Sequence, residues 1–282
     1  MQTKLSSNEL TKLQKIAHEI RISILKMIYN AQSGHLGGNL SAVELLLTLY
    51  KKVLKHDKNL RDFENEDRFI LSKGHASAAL YCVLAEEGYF EKEELMTFRK
   101  FGSRLQGHPS SRFLDCIEVS TGSLGQGLSI ACGVALGLKL DKKSSFVYTY
   151  LGDGELQEGQ IYEAMMNAGH NRLDNLIAII DRNGYQIDGH TECIKAIDPI
   201  DKKFQSFGWQ VLSVDGHNIE RILEVYEKAK ELAIENKKPV AIIANTVKGK
   251  GVSFMENTAE WHGKAPNKEQ FEAALKELEE QN

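Results

Sequence analysis

Apolar residues near the start of the chain recur every three or four positions, and this spacing predicts a helix. Leu13 and Ile20 lie on the face that the pattern marks as buried. Ser6 stands three positions before Glu9, which is the capping-box pattern of a helix start. The sequence therefore predicts a long amphipathic helix over residues 6–30.

Farther along, short apolar runs alternate with segments of helical spacing. Strands are predicted at 68–71, directly before Asp153, directly before Asn183, at 209–214 and at 240–246. Helices are predicted at 41–53, 76–86, 92–99, between Asp153 and the next strand, at 219–234, in the tail from 267, and from the loop at 120–127 to about 139. A charged linker is expected at 55–67, and much of 89–119 is expected to be irregular.

Strands that are apolar throughout and separated by helices are typical of a parallel sheet covered on both faces. The chain contains no internal repeat, no low-complexity tract and no shift of composition. We therefore expect one α/β domain over residues 1–282, with a mostly parallel central sheet flanked by helices on both faces. The small residues of the helix that ends near 139 would allow close packing on the sheet or on another subunit.

Composition excludes several classes of function. Apolar residues make up 42% of the chain, charged residues 26%, and the net charge is −4, which is ordinary for a globular protein and gives no basic surface for nucleic acid or an anionic membrane. The N-terminus lacks a signal-peptide pattern, and the apolar runs are too short to span a bilayer. A cytoplasmic protein is expected. The dispersed cysteines are expected to be reduced and mostly buried: Cys82, Cys116, Cys132 and Cys193.

Two residues with oxygen ligands follow neighbouring predicted strands. Asp153, in Gly-Asp-Gly, and Asn183 are thirty positions apart, so a βαβ crossover would place both at the carboxyl edge of a parallel sheet. Mg²⁺ prefers such oxygen ligands together with phosphate and water, and the Tyr185 carbonyl is a plausible third ligand. Gly154 would let the backbone approach a phosphate, with the N-terminus of the following helix pointing at it. Two plain glycine turns would have the same sequence, and these residues alone leave both interpretations open.

Histidines beside glycine at predicted element ends are a second feature. His35, His75, His108 and His262 all have this setting and are expected to reach the same edge. Imidazoles donate to phosphate and sugar oxygens and exchange protons near neutral pH, which suits a phosphorylated polyhydroxy substrate. Ordinary polar roles are expected of the other histidines, with His190 left unassigned: His18, His56, His170 and His217.

Several short motifs occur in the order and at the spacing typical of transketolases. They are SGH at 33–35, SKGHAS at 72–77, QGHP at 106–109, TGSLGQG at 121–127, GDG at 152–154 with Asn183, KGKG at 248–251 and WHG at 261–263. Each motif is weak alone, but the ordered set covers residues 10–265. The chain therefore resembles the diphosphate-binding part of a transketolase.

This resemblance implies thiamine diphosphate and Mg²⁺ as cofactors, with Ca²⁺ or Mn²⁺ as substitutes for the metal. It also implies transfer of a two-carbon ketol unit between sugar phosphates. The family's pyrimidine-binding and C-terminal domains, which carry the glutamate that activates the cofactor, have no counterpart in this sequence. We therefore expect an N-terminal subunit that is active only with a C-terminal transketolase subunit, in an α₂β₂ assembly.

The resemblance also assigns roles to individual residues. Metal ligands are expected at Asp153, Asn183 and the Tyr185 carbonyl. Contacts to thiamine diphosphate are expected from His75, Gly122, Ser123, Leu124, Asp153, Gly154, Asn183, Lys248 and His262. Catalytic roles toward the substrate are expected for His35, His108 and His262, and for Glu158 near a subunit interface. For Glu158 a simple helix-dipole role remains equally open.

Two other functions stay open at this point. The chain could be a subunit of another thiamine diphosphate enzyme that acts on a 2-oxo acid, although the SKGH motif and the histidines favour a sugar substrate. It could also be a non-catalytic subunit that only binds the cofactor. Retention of His35, His108 and His262 argues against a purely binding role.

Overall fold

The computed structural model describes residues 5–58 and 65–280, so part of the predicted linker at 55–67 lies outside the described residues. The helices are α1 (Ser7–Ala31), α2 (Leu36–Leu40), α3 (Val43–Thr48), α4 (Ser77–Glu86), α5 (Gln126–Leu140), α6 (Gly159–His170), α7 (Thr191–Lys195), α8 (Ile200–Ser206), α9 (Ile219–Asn236) and α10 (Lys268–Glu280). The strands are β1 (Arg68–Leu71), β2 (Val147–Gly152), β3 (Leu176–Arg182), β4 (Tyr185–Gln186), β5 (Gly189–His190), β6 (Gln210–Asp215) and β7 (Val240–Asn245).

Five of these strands form one parallel sheet in the order β1-β2-β3-β7-β6. The chain runs from β1 to β3 in one direction across the sheet, continues with β6 at the far edge and returns with β7 beside β3. The order in which the chain adds strands across the sheet thus reverses after β6, which places β7 beside β3. In parallel sheets with such a reversal, ligands bind outside the carboxyl ends of the strands. Strands β4 and β5 form a small antiparallel hairpin directly after β3.

Alternate residues of each central strand enter two separate cores. Ile177 and Ile179 of β3 pack with α1, α3, α4 and α9 on one face of the sheet. Ala178 and Ile180 pack with α5, α6 and α8 on the other face. This alternation explains why the strands are apolar throughout, and it confirms the predicted parallel sheet with helices on both faces.

Helix α1 begins as its sequence predicts. The Ser6 hydroxyl accepts a hydrogen bond from the Glu9 amide at 3.3 Å, and the Glu9 carboxylate accepts from the Ser6 amide at 3.1 Å. The helix ends at Ala31, and its C-cap residue Gln32 has a left-handed φ of 49°.

The helix predicted at 41–53 is interrupted, and part of the loop predicted before it is helical. Helix α2 includes Gly37 and Gly38, a turn separates it from α3, and a π-helical turn covers Leu49–Val53. Gly37 lies where the helix passes close to Lys248: a Cβ on Gly37 would lie 2.8 Å from the Lys248 Cγ. Gly37 therefore serves close packing, which its sequence alone could not distinguish from a flexible loop.

Two further predictions need correction. The segment after Gly154 is a short 3₁₀ turn, Gly154–Gln157, and α6 begins only at Gly159, so the predicted helix N-terminus does not directly follow the Gly-Asp-Gly turn. The β4–β5 hairpin and helices α7 and α8 have no counterpart in the sequence prediction, because they are too short to show a clear period. The short helix predicted at 92–99 is a 3₁₀ helix, Lys92–Thr97, and the other predicted strands and helices are confirmed to within a few residues.

Helix α5 packs its small residues on the sheet. Ala131, Cys132 and Ala135 are buried in the core that it shares with α6. A Cβ on Gly127 would lie 2.7 Å from the Ser72 Cα, whereas a Cβ on Gly133 would meet no atom within 4 Å. One side of α5 therefore depends on the close approach of backbones, and the other side is open.

None of the four cysteines forms a disulfide bond within the described residues. Cys82 and Cys132 are buried, but Cys193 is exposed, so burial is confirmed for only part of the set. No helix within the described residues combines the length and the apolar character that a bilayer span requires.

Candidate active site

Four neighbouring strands open onto one cavity of about 180 Å³ at the carboxyl edge of the sheet. Each strand contributes a polar side chain just beyond its end: Lys73 after β1, Asp153 after β2, Asn183 after β3 and Lys248 after β7. The hairpin β4–β5 forms another wall with Gln186, Ile187 and Asp188. Most of the predicted site residues line this cavity: His75, Leu124, Asp153, Gly154, Glu158, Asn183, Tyr185, Lys248 and His262.

The oxygen donors predicted to hold a metal lie together. The buried Asp153 carboxylate accepts hydrogen bonds from the Gly154 amide at 2.7 Å and the Gly184 amide at 2.6 Å. The Asn183 side-chain oxygen accepts from the Tyr185 amide at 3.1 Å. Burial, and then the nearby charge of Asp181, raise the pKa of Asp153 to about 6. A buried carboxylate of this kind is stabilised by a cation.

Lys248 joins this oxygen cluster to a histidine. Its ammonium donates to the Tyr185 carbonyl at 3.3 Å and bonds the Nδ1 of His262 at 3.0 Å. Since an ammonium has no acceptor, Nδ1 of His262 carries the lone pair and Nε2 carries the proton. Burial lowers the pKa of Lys248 to about 8, and burial together with the Lys248 charge lowers that of His262 to about 3. His262 is thus a neutral ring with a fixed Nε2–H donor.

The predicted histidines form one cluster. The ring centroid of His35 lies 5.1 Å from that of His75, 5.4 Å from that of His262 and 6.2 Å from that of His108. Burial is the main cause that lowers the pKa of each ring, to about 4 for His35. His108 is the most accessible member of the cluster. All four rings are therefore neutral near pH 7 and able to accept or donate hydrogen bonds.

The remaining predicted residues lie around this centre. A Cβ on Gly122 would meet the His108 ring at 3.1 Å, so the loop backbone packs directly against the histidine. Ser123 is exposed and does not line the cavity. Glu158 is exposed, occupies the N-cap position of α6 and makes no capping hydrogen bond with its side chain.

The structure adds a buried ion pair that the sequence analysis missed. The ammonium of Lys73 donates to the Asp181 carboxylate at 2.6 Å, and both side chains are almost completely buried. Ser41 and Thr246 also donate to this carboxylate. Burial alone would raise the pKa of Asp181, but the charge of Lys73 and these hydrogen bonds hold it below its usual value. An acidic residue inside an apolar strand was the available signal, because such a residue needs a partner.

A second buried carboxylate ties three segments together. Glu155 accepts hydrogen bonds from the Ser72 hydroxyl, from the Gly152 amide at 3.0 Å and from the Gly125 amide at 2.9 Å. It therefore joins the ends of β1 and β2 to the loop before α5. Burial raises the pKa of this carboxyl group. Its sequence position, in the turn after Asp153, suggests an ordinary surface acid.

Asn39 positions two of the histidines through their backbones. Its side-chain amide donates to the His35 carbonyl at 2.6 Å and the His75 carbonyl at 3.1 Å, while its oxygen accepts from the Ala79 amide at 2.8 Å. No sequence motif indicated this role.

His217 supports the segment that carries Lys248. The Val247 amide donates to Nε2 of His217 at 2.9 Å, so Nδ1 is the protonated nitrogen and donates to Glu44 at 3.0 Å. Glu44 in turn pairs with Arg21 at 2.6 Å in a buried salt bridge. The prediction that His217 has a structural role agrees with both ring nitrogens being satisfied.

These residues fit a divalent cation with a diphosphate. Within 5–58 and 65–280 no three His, Cys, Asp or Glu side chains are grouped to hold a metal, so this site depends on one carboxylate, Asp153, with amide and carbonyl oxygens. That mixture suits a hard cation that takes its other ligands from phosphate and water. The lack of a side chain at Gly38 leaves space before two donors, since a Cβ there would lie 3.4 Å from Lys73 Nζ and 3.5 Å from His75 Nε2. Nδ1 of His35 is buried without a hydrogen-bond partner, as expected of a group that hydrogen-bonds a ligand.

Comparison with known proteins agrees with this geometry. A family model described as "Transketolase, thiamine diphosphate binding domain" matches residues 12–279. The chain is 43% identical to the 6-deoxy-6-sulfo-D-fructose transketolase subunit SqwG of Clostridium sp. strain MSTE9, over 98% of this chain and 99% of that protein. It is 41% identical to an apulose-4-phosphate transketolase subunit of Phocaeicola vulgatus, with 92% and 91% covered.

Solved structures show the same fold. A transketolase from Pichia stipitis in complex with sedoheptulose 7-phosphate superposes with a TM-score of 0.87 at 34% identity, over 95% of this chain. The chain spans only 40% of the length of that solved chain.

Proposed function

Because the chain belongs to the transketolase family, we propose that it is the N-terminal subunit of a split transketolase. It would transfer a two-carbon ketol unit from a ketose phosphate to an aldose phosphate, using thiamine diphosphate and Mg²⁺. The observation that carries this proposal is the convergence of the Asp153–Asn183 oxygen donors and four neutral histidines at one sheet edge.

The chain's own residues would bind the cofactor at its diphosphate end. Asp153, the Asn183 side chain and the Tyr185 carbonyl are the proposed metal ligands; the carbonyl has a second lone pair free beside the Lys248 hydrogen bond. Lys248, His75 and His262 supply donors to the diphosphate, with Gly154 at the close approach of the backbone. Gly122, Ser123 and Leu124 are the proposed contacts to the rest of the cofactor.

When bound, thiamine diphosphate supplies the carbanion and the electron sink that carbon–carbon cleavage beside a ketose carbonyl requires. His262 presents a fixed Nε2–H to the substrate or diphosphate. His35 and His108 are neutral near pH 7, so each can take a proton from a sugar hydroxyl and return it. Glu158 is proposed to act at the interface with another subunit.

A partner chain is part of this proposal. The cavity of about 180 Å³ is smaller than the roughly 300–1,000 Å³ usual for ligand sites, and another surface is needed to close it. We propose a C-terminal transketolase subunit with the pyrimidine-binding domain as that partner, in an α₂β₂ assembly. The open side of α5 at Gly133 is a candidate contact.

Reconstitution tests this function. The chain is purified alone and together with its partner subunit, and ketol transfer is assayed with and without thiamine diphosphate and Mg²⁺. Donor sugars include xylulose 5-phosphate, fructose 6-phosphate, sedoheptulose 7-phosphate and 6-deoxy-6-sulfofructose, which occur in the names of its relatives. We expect transfer only with both chains and both cofactors; robust transfer by the purified chain alone would contradict the split-subunit proposal.

The assay also separates the alternatives. Release of carbon dioxide from a 2-oxo acid, without ketol transfer, would identify a different thiamine diphosphate enzyme. A His35→Gln variant is expected to lower kcat of the complex at least about tenfold. Turnover unchanged in both His35→Gln and His262→Gln would instead favour a subunit that only binds the cofactor.

A further inference from the structure

Arg99 stands next to the histidine cluster but belongs to none of the transketolase-like motifs. Its backbone has a φ of 58°, in the left-handed region that non-glycine residues seldom adopt. Its amide donates to the Leu105 carbonyl at 3.0 Å, which closes a tight loop. The loop places the guanidinium beside the backbone that leads to His108.

The guanidinium connects the segments that carry two of the histidines. Nη1 donates to the Ser33 hydroxyl at 3.1 Å, two residues before His35. Nη2 donates to the Gly107 carbonyl at 3.3 Å, one residue before His108. The two histidines are far apart in the sequence, so this bridge is a direct tie between distant segments.

Close packing indicates that the bridge is built into the fold. A Cβ on Gly107 would lie 2.4 Å from the Arg99 Cζ, so a larger residue at this position would displace the guanidinium. The same Gly107 carbonyl also accepts from the Ser77 hydroxyl at 2.9 Å, and the Gln106 carbonyl accepts from the Tyr81 hydroxyl at 2.9 Å. Helix α4 therefore holds the loop from the side opposite Arg99.

Arg99 also brings a charge that no carboxylate neutralises. Among the described residues, its hydrogen-bond acceptors are the Ser33 hydroxyl and the Gly107 carbonyl, neither of which is charged, and its Nε is buried without a hydrogen-bond partner. After burial, this charge is the largest cause that lowers the pKa of His35 and of His108. The charges of Lys248 and Lys73 and the His108 ring also lower the pKa of His35, and the rings of His75 and His262 lie beside it.

We propose that Arg99 is a positioning residue of the active site, which clamps the His35 and His108 segments together so that both rings face one substrate. This inference rests on the proposed function, because the two histidines are taken to contact the sugar. A two-point planar donor is suited to this task, and lysine cannot replace it at both acceptors.

Three variants test the clamp. Arg99→Gln removes the charge and the second donor, Arg99→Lys keeps the charge but not the two-point bridge, and Ser33→Ala removes only the His35 side of the bridge. Arg112→Gln is the matched control, since Arg112 is exposed and its guanidinium lies over the Phe113 ring. Folding of each variant is checked by circular dichroism and urea unfolding.

The first measurement is an NMR titration of the histidine ring protons in the isolated chain, with signals assigned from His35→Gln and His108→Gln. Arg99→Gln is expected to raise the pKa of both rings toward the ordinary value, and Arg112→Gln to leave both unchanged. This readout does not depend on catalysis. It therefore tests whether the Arg99 charge acts on both rings even if the complex shows no ketol transfer, a result that would count against the proposed function instead.

The second measurement is steady-state kinetics of the reconstituted complex. Small displacements of a catalytic group cost about 10²-fold in rate, so Arg99→Gln is expected to lower kcat by roughly 10- to 100-fold, with Arg99→Lys and Ser33→Ala between it and wild type. Because Arg99→Lys retains the charge, a loss of kcat in this variant with little change of either ring's pKa supports the clamp. Wild-type kcat in folded Arg99→Gln and Arg99→Lys, in a complex that transfers ketol units, would overturn it.

Discussion

The substitution Asp181→Asn is expected to destabilise the chain strongly, because it removes the charge that Lys73 pairs with in the interior. Asn has nearly the same shape, and its oxygen can still accept from Lys73 and Ser41. The loss is therefore mainly that of the counter-charge. Breaking one partner of a buried ion pair costs about 3–5 kcal/mol.

This cost can be measured by equilibrium urea unfolding followed by circular dichroism. With a slope of about 3 kcal/mol per M urea, the expected loss lowers the midpoint by about 1–2 M. Asp198→Asn is the matched control, since Asp198 pairs with Arg182 at the surface. An exposed pair contributes about 0–1 kcal/mol, so this control should move the midpoint little.

A double-mutant cycle tests the physical reasoning. Lys73→Met alone leaves the Asp181 carboxylate buried without its cation and is expected to cost as much as Asp181→Asn. The double variant has no unpaired charge, so its loss should be at least about 2 kcal/mol smaller than the sum of the single losses. Additive losses, or an Asp181→Asn variant within about 1 kcal/mol of wild type, would refute the argument.

Two further predictions concern packing and pH. Gly127→Ala places a Cβ 2.7 Å from the Ser72 Cα and is expected to lower the unfolding free energy, measured in urea, by about 1–3 kcal/mol or more. Gly133→Ala on the same helix meets no atom within 4 Å and is expected to raise the unfolding free energy by about 0.4–1 kcal/mol. Equal effects of the two substitutions would contradict the packing argument. The folded-state pKa values of His35 and His262, about 4 and about 3, lie below the ordinary 6.5, so between pH 6.5 and 4 the unfolded chain binds protons that the folded chain does not. The unfolding free energy should thus fall on acidification through this window, by up to about 1.4 kcal/mol per pH unit for each ring, and His35→Gln or His262→Gln should flatten the slope; an unchanged slope would count against burial of neutral rings.

Local patterns were enough to predict most of the regular structure. The period of the apolar residues located α1 and the capping pair located its start. Continuous apolar runs located the central strands β2, β3 and β7, because a strand buried on both faces has no polar side. The predictions failed where a local pattern had two physical causes, as at Gly37, which could mark a loop or the close packing that the structure shows.

The candidate site was predicted in part for the same reason. Asp153, Asn183 and the glycine-flanked histidines stand at element ends, and parallel strands bring their carboxyl ends to one edge. The sequence did not indicate Glu155 or Asn39, since their roles depend on atoms of other segments. The contact of Ser123 with the cofactor and the catalytic roles remain predictions.

By itself, the sequence determined the class of the fold, the edge of the sheet where polar residues gather and the family resemblance, because each depends on residues close together in the chain. Only the tertiary structure decided which distant polar groups meet: Lys73 with Asp181 across 108 positions, His217 with Glu44 across 173, and Arg99 with Ser33 across 66. Such contacts depend on strand order and on helix packing over the whole chain. A buried polar group needs a hydrogen-bond partner, but the sequence around it does not identify that partner.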